Sequence, residues 1–171
     1  IIRHNRWWHA GSHTWGIDLD DGSSNYEVYD NLCLGCSVKL REGFYRRVEN
    51  NILIGNQGIQ IHVPFDHNSD FIARNIVVLD LPAAYLFKRT PITKMLDAAQ
   101  IDHNLFWSVA EYFDPSLKNT ELKRFQSAGI DVHSVSADPR FVDPLGLDFR
   151  LKDDSPALEL GFKPFALDTA L

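Results

Sequence analysis

Long apolar runs, cysteine and surplus positive charge are what this chain has least of. No stretch of its 171 residues reaches the ~18 apolar residues of a membrane-crossing helix, so no membrane is expected as a partner. Lys and Arg number 17 against 23 Asp and Glu, a net charge of −6. With no basic stripe to neutralise phosphates, nucleic acid drops out as well. A neutral partner such as a sugar fits, although charge alone names no substrate. The two cysteines, Cys33 and Cys36, form a lone C-x-x-C. A redox pair would need a helix N-terminus beside it, and zinc would need two further ligands. Strand-like flanks predict buried, reduced thiols, which leave the compartment open: secreted, periplasmic or cytoplasmic in a bacterium.

What is present is a repeat. Ile17-Asp18-Leu19-Asp20-Asp21-Gly22, Val38-Lys39-Leu40-Arg41-Glu42-Gly43 and Ile59-Gln60-Ile61-His62-Val63-Pro64 follow one another at a spacing of 21 residues without a gap. Apolar residues at the first and third places, polar ones at the second and fourth, and a closing Gly or Pro describe a strand with one buried face, ended by a turn. Such a period predicts a solenoid. The fold class expected is all-β, the C-terminal coils of a right-handed parallel β-helix with a flanking helix. Composition, 44% hydrophobic and 23% charged, suits one domain over 1–171. The first strand would leave an open edge, so the chain is expected to be the C-terminal portion of a longer protein, with the missing N-terminal portion as a partner. A homo-oligomer is compatible with the same pattern.

A second ladder supports the stack. Asn5, Asn31, Asn51, Asn75 and Asn104 recur at spacings of 26, 20, 24 and 29, each before an apolar or strand-like step. Asn tolerates left-handed backbone and bonds backbone groups at turns, so this column reads as a structural corner. Residues 81–100 read as an irregular excursion with some helix. Residues 115–128 read as an amphipathic helix on the flank. The segments 137–144, 148–151 and 155–158 read as strands of a Pro-rich closing coil.

Stacking gives the outward residues meaning. Equivalent positions of successive coils lie roughly 4.8 Å apart, which sets Asp18 over Lys39 and Gln60, Asp20 over Arg41 and His62, and Asp21 over Glu42. The first two columns pair opposite charges. The third stacks two carboxylates, and like charges that close raise one pKa. A retaining glycosidase needs carboxyls about 5–5.5 Å apart. Asp21 and Asp20 compete as nucleophile, with Asp18 as a salt-bridge partner of Lys39, and Glu42 is the expected acid/base. Each carboxylate taken singly is more simply a solvated turn residue. The glycosidase reading needs no cofactor or metal.

Two other readings use the same residues. Three Asp in four positions can hold Ca²⁺, with Lys39 or Arg41 abstracting a proton beside a uronate carboxylate, as in a polysaccharide lyase. The third is a non-catalytic glycan-binding or structural module. His13 and Trp15, on the turn into Ile17, and His62, on the third coil, are candidates to contact an oligosaccharide or polysaccharide, since aromatic faces stack on sugar rings. Trp7, Trp8 and His9 are equally well read as packing, and His67 and His103 as surface or turn residues.

The segments Gly16–Asn25 and Lys39–Gly43, with the Ala137–Pro144 ending, resemble bacterial right-handed parallel β-helix proteins of the pectin-lyase-like superfamily. Within it the chain is most similar to glycoside hydrolase family 120, the β-xylosidases. That resemblance implies a retaining hydrolase of xylose-type or other plant-polysaccharide-derived oligosaccharides, with the nucleophile in the Asp20-Asp21 pair and the acid/base at Glu42. Members of the family are longer. No Gly-His-Gly follows the Asp pair, as the related polygalacturonases would have.

Overall fold

The computed structural model describes residues 1–8, 15–55, 58–80, 86–88, 99–110 and 120–166. The chain visits three sheets in rotation. Its first passage is β1 (Ile2–Arg3), β2 (Arg6–Trp8) and β3 (Trp15–Leu19); its second is β4 (Glu27–Tyr29), β5 (Leu32–Leu34) and β6 (Ser37–Leu40). The third is β7 (Arg47–Glu49), β8 (Ile52–Gly55) and β9 (Ile59–His62), and the fourth β10 (Asp70–Ala73), β11 (Ile76–Leu79) and β12 (Leu86–Lys88). Then come β13 (Ala99–Asp102), β14 (Leu105–Ser108), helix α1 (Thr120–Ser127) and β15 (Val135–Ser136). An antiparallel hairpin, β16 (Phe141–Asp143) and β17 (Asp148–Leu151), and the short helix α2 (Pro156–Glu159) end the described chain.

The three sheets are wholly parallel, in the orders β1-β4-β7-β10-β13, β2-β5-β8-β11-β14-β15 and β3-β6-β9-β12. The fold is therefore all-β with parallel sheets. The 21-residue repeat sets the register of the third sheet: Ile17 pairs with Val38 and Val38 with Ile59, Asp18 with Lys39 and Lys39 with Gln60. Alternation then sends one side of the central strands into a common core. Val28, Val48 and Ile72 come from the first sheet, Cys33, Leu53 and Val77 from the second, and Leu19, Leu40 and Ile61 from the third. Both cysteines are free and buried, as expected.

The asparagine column forms the corner between the first and second sheets. Asn31, Asn51, Asn75 and Asn104 are fully buried. The backbone N–H and the Nδ2 of each donate to Oδ1 of the next, as in Asn51 to Asn75 at 3.1 and 3.0 Å. A second Nδ2 proton goes to the carbonyl two residues back, Glu49 O for Asn51. The ladder ends when Asn104 donates to Asp131 Oδ1 and Ser134 Oγ. Left-handed backbone belongs to the residue before each Asn: His4, Asp30, Asn50, Arg74 and His103 have φ between 54° and 59°. The Asn side chain is there to bond, and its neighbour makes the bend.

A second buried polar device holds the corner between the third and first sheets. Arg46 is wholly enclosed. Its Nε and backbone N–H donate to Asp70 Oδ1 at 3.0 Å and its Nη2 to Asp70 Oδ2 at 2.6 Å. Its Nη1 donates to the Arg41 carbonyl. This pair links two successive passages of the chain beside the acidic corner.

Three sequence expectations are corrected. Residues 81–100 contribute β12 and the start of β13, so the excursion contains strand; its remainder lies outside the described residues. The 115–128 helix is described as α1 from Thr120, and Leu122 and Phe125 join the common core with Ile101 and Phe106. It packs on the interior at the last coil instead of on the flank. The tail closes no coil. Phe141, Phe149, Ala157 and Phe162 pack on Leu32, Ile52, Ile76 and Leu105, the outward side of the second sheet, and Lys163 exchanges two 2.7 Å hydrogen bonds with Asn50. Ser155-Pro156 is a helix start with no strand: Ser155 Oγ caps Ala157 N–H, and Pro at the first helical position loses no bond.

Asn51→Ala should lower unfolding free energy by about 3 kcal/mol, because two buried donors of Asn31 lose their acceptor. A urea midpoint shift equivalent to under ~1 kcal/mol would show that the ladder is dispensable. Asp70→Ala should cost about 3–5 kcal/mol by stranding the Arg46 charge, and the double change Arg46→Met, Asp70→Leu much less. Equal losses in single and double variants would refute the pairing account.

Candidate active site

Leu19, Leu40 and Ile61 are the last inward residues of their strands in the third sheet. The next position on each, Asp20, Arg41 or His62, stands at the sheet's carboxyl edge where the chain turns. The turn after β3 uses left-handed backbone at Asp21 (φ 44°) and Gly22 (φ 84°). It closes when Ser23 N–H and Oγ donate to the Asp20 carbonyl at 3.1 and 2.7 Å. The next passage runs so close that a Cβ on Gly43 would lie 2.3 Å from the Ser23 carbonyl oxygen. Glycine there lets Glu42 come up against the Asp turn.

The charged groups interlock more than simple columns predict. Lys39 Nζ lies 3.0 Å from both Asp18 Oδ1 and Asp20 Oδ2, and 4.0 Å over the Trp15 ring. Arg41 Nη1 lies 3.1 Å from Asp20 and from Asp21, and its Nε lies 2.8 Å from Glu42 Oε2. Asp20, Asp21 and Glu42 thereby gather, with one oxygen of each within 4.8 Å of the others. His62 meets the Trp15 ring edge-on at 6.2 Å. Of the sequence-derived candidates, Asp18, Asp20, Asp21, Lys39, Arg41, Glu42, Trp15 and His62 are brought into one region. His13 lies outside the described residues.

The expectation that the polar places of the strand are presented to solvent fails for two of them. Lys39 and Gln60 are buried, Lys39 because two carboxylates and an aromatic face enclose it, and Gln60 while donating to Ser37 Oγ at 3.1 Å. Arg41 remains the solvent-facing cation. The three carboxylates differ in setting: Asp21 is 83% exposed, Asp20 36% and Glu42 21%.

Protonation follows the contacts. The Lys39 ammonium, with help from Arg41 and the Asp21 N–H, holds the Asp20 carboxyl below the usual carboxylate range against the opposing pull of burial. For Lys39 burial alone would pull the amine down, yet the Asp20 and Asp18 carboxylates outweigh it and the group lies above its ordinary value. Hydrogen bonding to Asp20, with the charges of Glu42 and Asp20, pushes Arg41 up too.

Two arrangements escaped the sequence reading. Arg46–Asp70 was hidden because the partners fall outside the repeat's aligned places. Asp102, His103 and His133 also converge, joined across a helix that interrupts the period; the Asn104 rung beside His103 was the available signal.

Asp20 titrates below the ~3.9 of an unfolded aspartate. Its contribution to stability is therefore full above about pH 4 and is lost as pH falls through the folded value. A carbon-detected NMR titration should place its midpoint below ~3.9, and Lys39→Met should raise it. A parental midpoint at or above that value would contradict the interlocked corner.

Compared with protein-family models, curated proteins and solved structures, the chain finds no match, so its functional reading rests on its own residues.

Proposed function

We propose that the protein is a right-handed parallel β-helix whose acidic corner is the catalytic pair of a retaining glycoside hydrolase, acting on xylose-type or other plant-polysaccharide-derived oligosaccharides. The observation that carries this is the approach of Asp20 and Glu42 on adjacent passages, with carboxylate oxygens within 4.8 Å. So close an approach supports the short separation of a nucleophile and an acid/base, whereas an inverting pair needs roughly 6.5–9.5 Å, room for a water between them.

Roles follow from setting. Asp20, kept ionised by Lys39 and Arg41, attacks the anomeric carbon. Asp21 is the weaker candidate, since it projects into solvent and its N–H serves Asp20 Oδ1 at 3.0 Å. Glu42 protonates the leaving oxygen and then deprotonates the water that releases the sugar. Arg41 orients both carboxylates, and the Trp15 and His62 rings supply an aromatic wall for the sugar. The lyase reading fares worse, because it needs a basic residue that gives up its proton near neutrality. Lys39 is held charged between two aspartates.

A glycan-binding module is the second reading, and a separate surface favours it. Trp8, Leu34, Ile54, Val78 and Trp107 form one cross-strand row on the outward side of the second sheet. They line a groove of about 680 Å³ that Arg140 and Lys152 also border. Trp8 is 61% exposed, and such platforms suit sugar rings.

A panel of aryl glycosides, β-xyloside included, separates the two. Glu42→Gln should lower kcat/KM by at least about a hundredfold on substrates with poor leaving groups, and Asp20→Asn should abolish turnover with the fold intact by circular dichroism. Hydrolysis at the parental rate by Glu42→Gln would sink the assignment. Silence of the parent across the panel, with xylo-oligosaccharide binding that Trp8→Ala removes, would establish the binding module instead.

A further inference from the structure

The corner after β13 carries a side-chain cluster with no part in the acidic site. Ala73 pairs with Asp102, and Leu105 with Val135. The same registers set His103 beside Arg74 on one side and His133 on the other. The His103 and His133 rings lie 5.0 Å apart, 24° from parallel.

Asp102 is divided between two tasks. Its Oδ1 accepts the backbone N–H groups of His103 and His133, both at 2.8 Å. Those bonds fix the carboxylate and tie the last passage to the one before. Its Oδ2 is turned to the two imidazoles, 2.7 Å from His133 Nδ1 and 3.5 Å from His103 Nδ1. Arg74, the cation nearest in register, is committed to Glu49 through Nε at 3.0 Å, so it leaves Oδ2 to the histidines. We propose that Asp102, His103 and His133 form a binding site for a divalent late first-row metal ion of the zinc type.

Donor chemistry and spacing both support this. Imidazole nitrogen suits zinc, nickel and copper, and two imidazoles with one carboxylate leave open positions for water. With metal–ligand bonds of about 2.0–2.1 Å and tetrahedral angles, donor atoms sit about 3.3–3.4 Å apart. The two distances to Oδ2 bracket that value. Both rings are solvent-facing, with His103 45% and His133 66% exposed. The broad χ2 rotation that brings their lone pairs onto one ion therefore meets little packing. The backbone bonds to Oδ1 supply the outer support that orients a ligating carboxylate. Binding displaces the hydrogen bond between His133 and Asp102.

Zn²⁺ alone is the probe, titrated calorimetrically into the protein and into His103→Ala and His133→Ala. These variants change exposed side chains and keep Asp102 in place. The parent should bind one equivalent saturably and gain thermal stability, because the ligands join two passages of the chain. Each substitution should weaken binding at least about tenfold and abolish the stabilisation. Co²⁺ in place of zinc should give visible d–d bands that the double variant lacks. No saturable binding by the parent up to roughly 1 mM Zn²⁺, or a site retained within threefold in either single variant, overturns the proposal.

Discussion

The buried amide column sets the terms for the rest of the structure. Each inner asparagine, Asn31, Asn51 and Asn75, accepts at one oxygen and donates through its backbone and side-chain nitrogens, so each joins its own passage to both neighbours. The bonds hold only if successive passages sit at the strand–strand distance, because a longer step would strand several buried donors at once. The residue before each asparagine takes the left-handed bend, which turns the chain from the first sheet into the second at the same height each time. Intervals between rungs range from 20 to 29 residues. Variation in length is thus expelled to other corners while the parallel register is kept.

Electrostatics at the third sheet depends on that pitch. Three carboxylates gather within 4.8 Å, an arrangement that would repel itself in isolation. Two cations from the next passage, Lys39 and Arg41, are delivered among them by the one-for-one register. The buried pair of Arg46 with Asp70 then fixes the backbone beneath, through the Arg41 carbonyl. Arg41 is thus held at both ends, its guanidinium by acids and its carbonyl by an arginine. A corner organised this way keeps Asp20 charged and fixed in orientation by Lys39 and Arg41.

What was legible in the sequence follows from which interactions are local or periodic. The ungapped 21-residue spacing and the Asn column revealed parallel stacking and the Asp18–Lys39 and Asp20–Arg41 pairs, since stacking turns spacing into contact. Burial of Lys39 was illegible, because alternation says which side a residue faces and nothing about what closes over it. The terminal hairpin and α2 were misread as further coils. Their strands at 141–143 and 148–151 were legible, but the antiparallel pairing was not, and the Ser155-Pro156 helix start was outweighed by the repeat. Pairs outside the aligned places, Arg46 with Asp70 and Asp102 with His133, left no periodic trace. The span between His103 and His133 contains α1, which erases the period there.

The positions of the two titratable clusters follow from the same constraint. Within strands, inward places are committed to the core and the ladder asparagines to each other. The residues free to carry chemistry are those just beyond a strand, where adjacent passages still lie one strand-spacing apart but the turns differ. Asp20 and Glu42 occupy such places after the third sheet, Asp102 and His103 end and follow β13 of the first, and His133 lies just before β15. The pitch explains why residues distant in sequence meet at ligand-like distances in both corners. It does not determine which residues stand there. The two corners share a scaffold and no side chain, so a substitution in one leaves the ladder that supports the other intact.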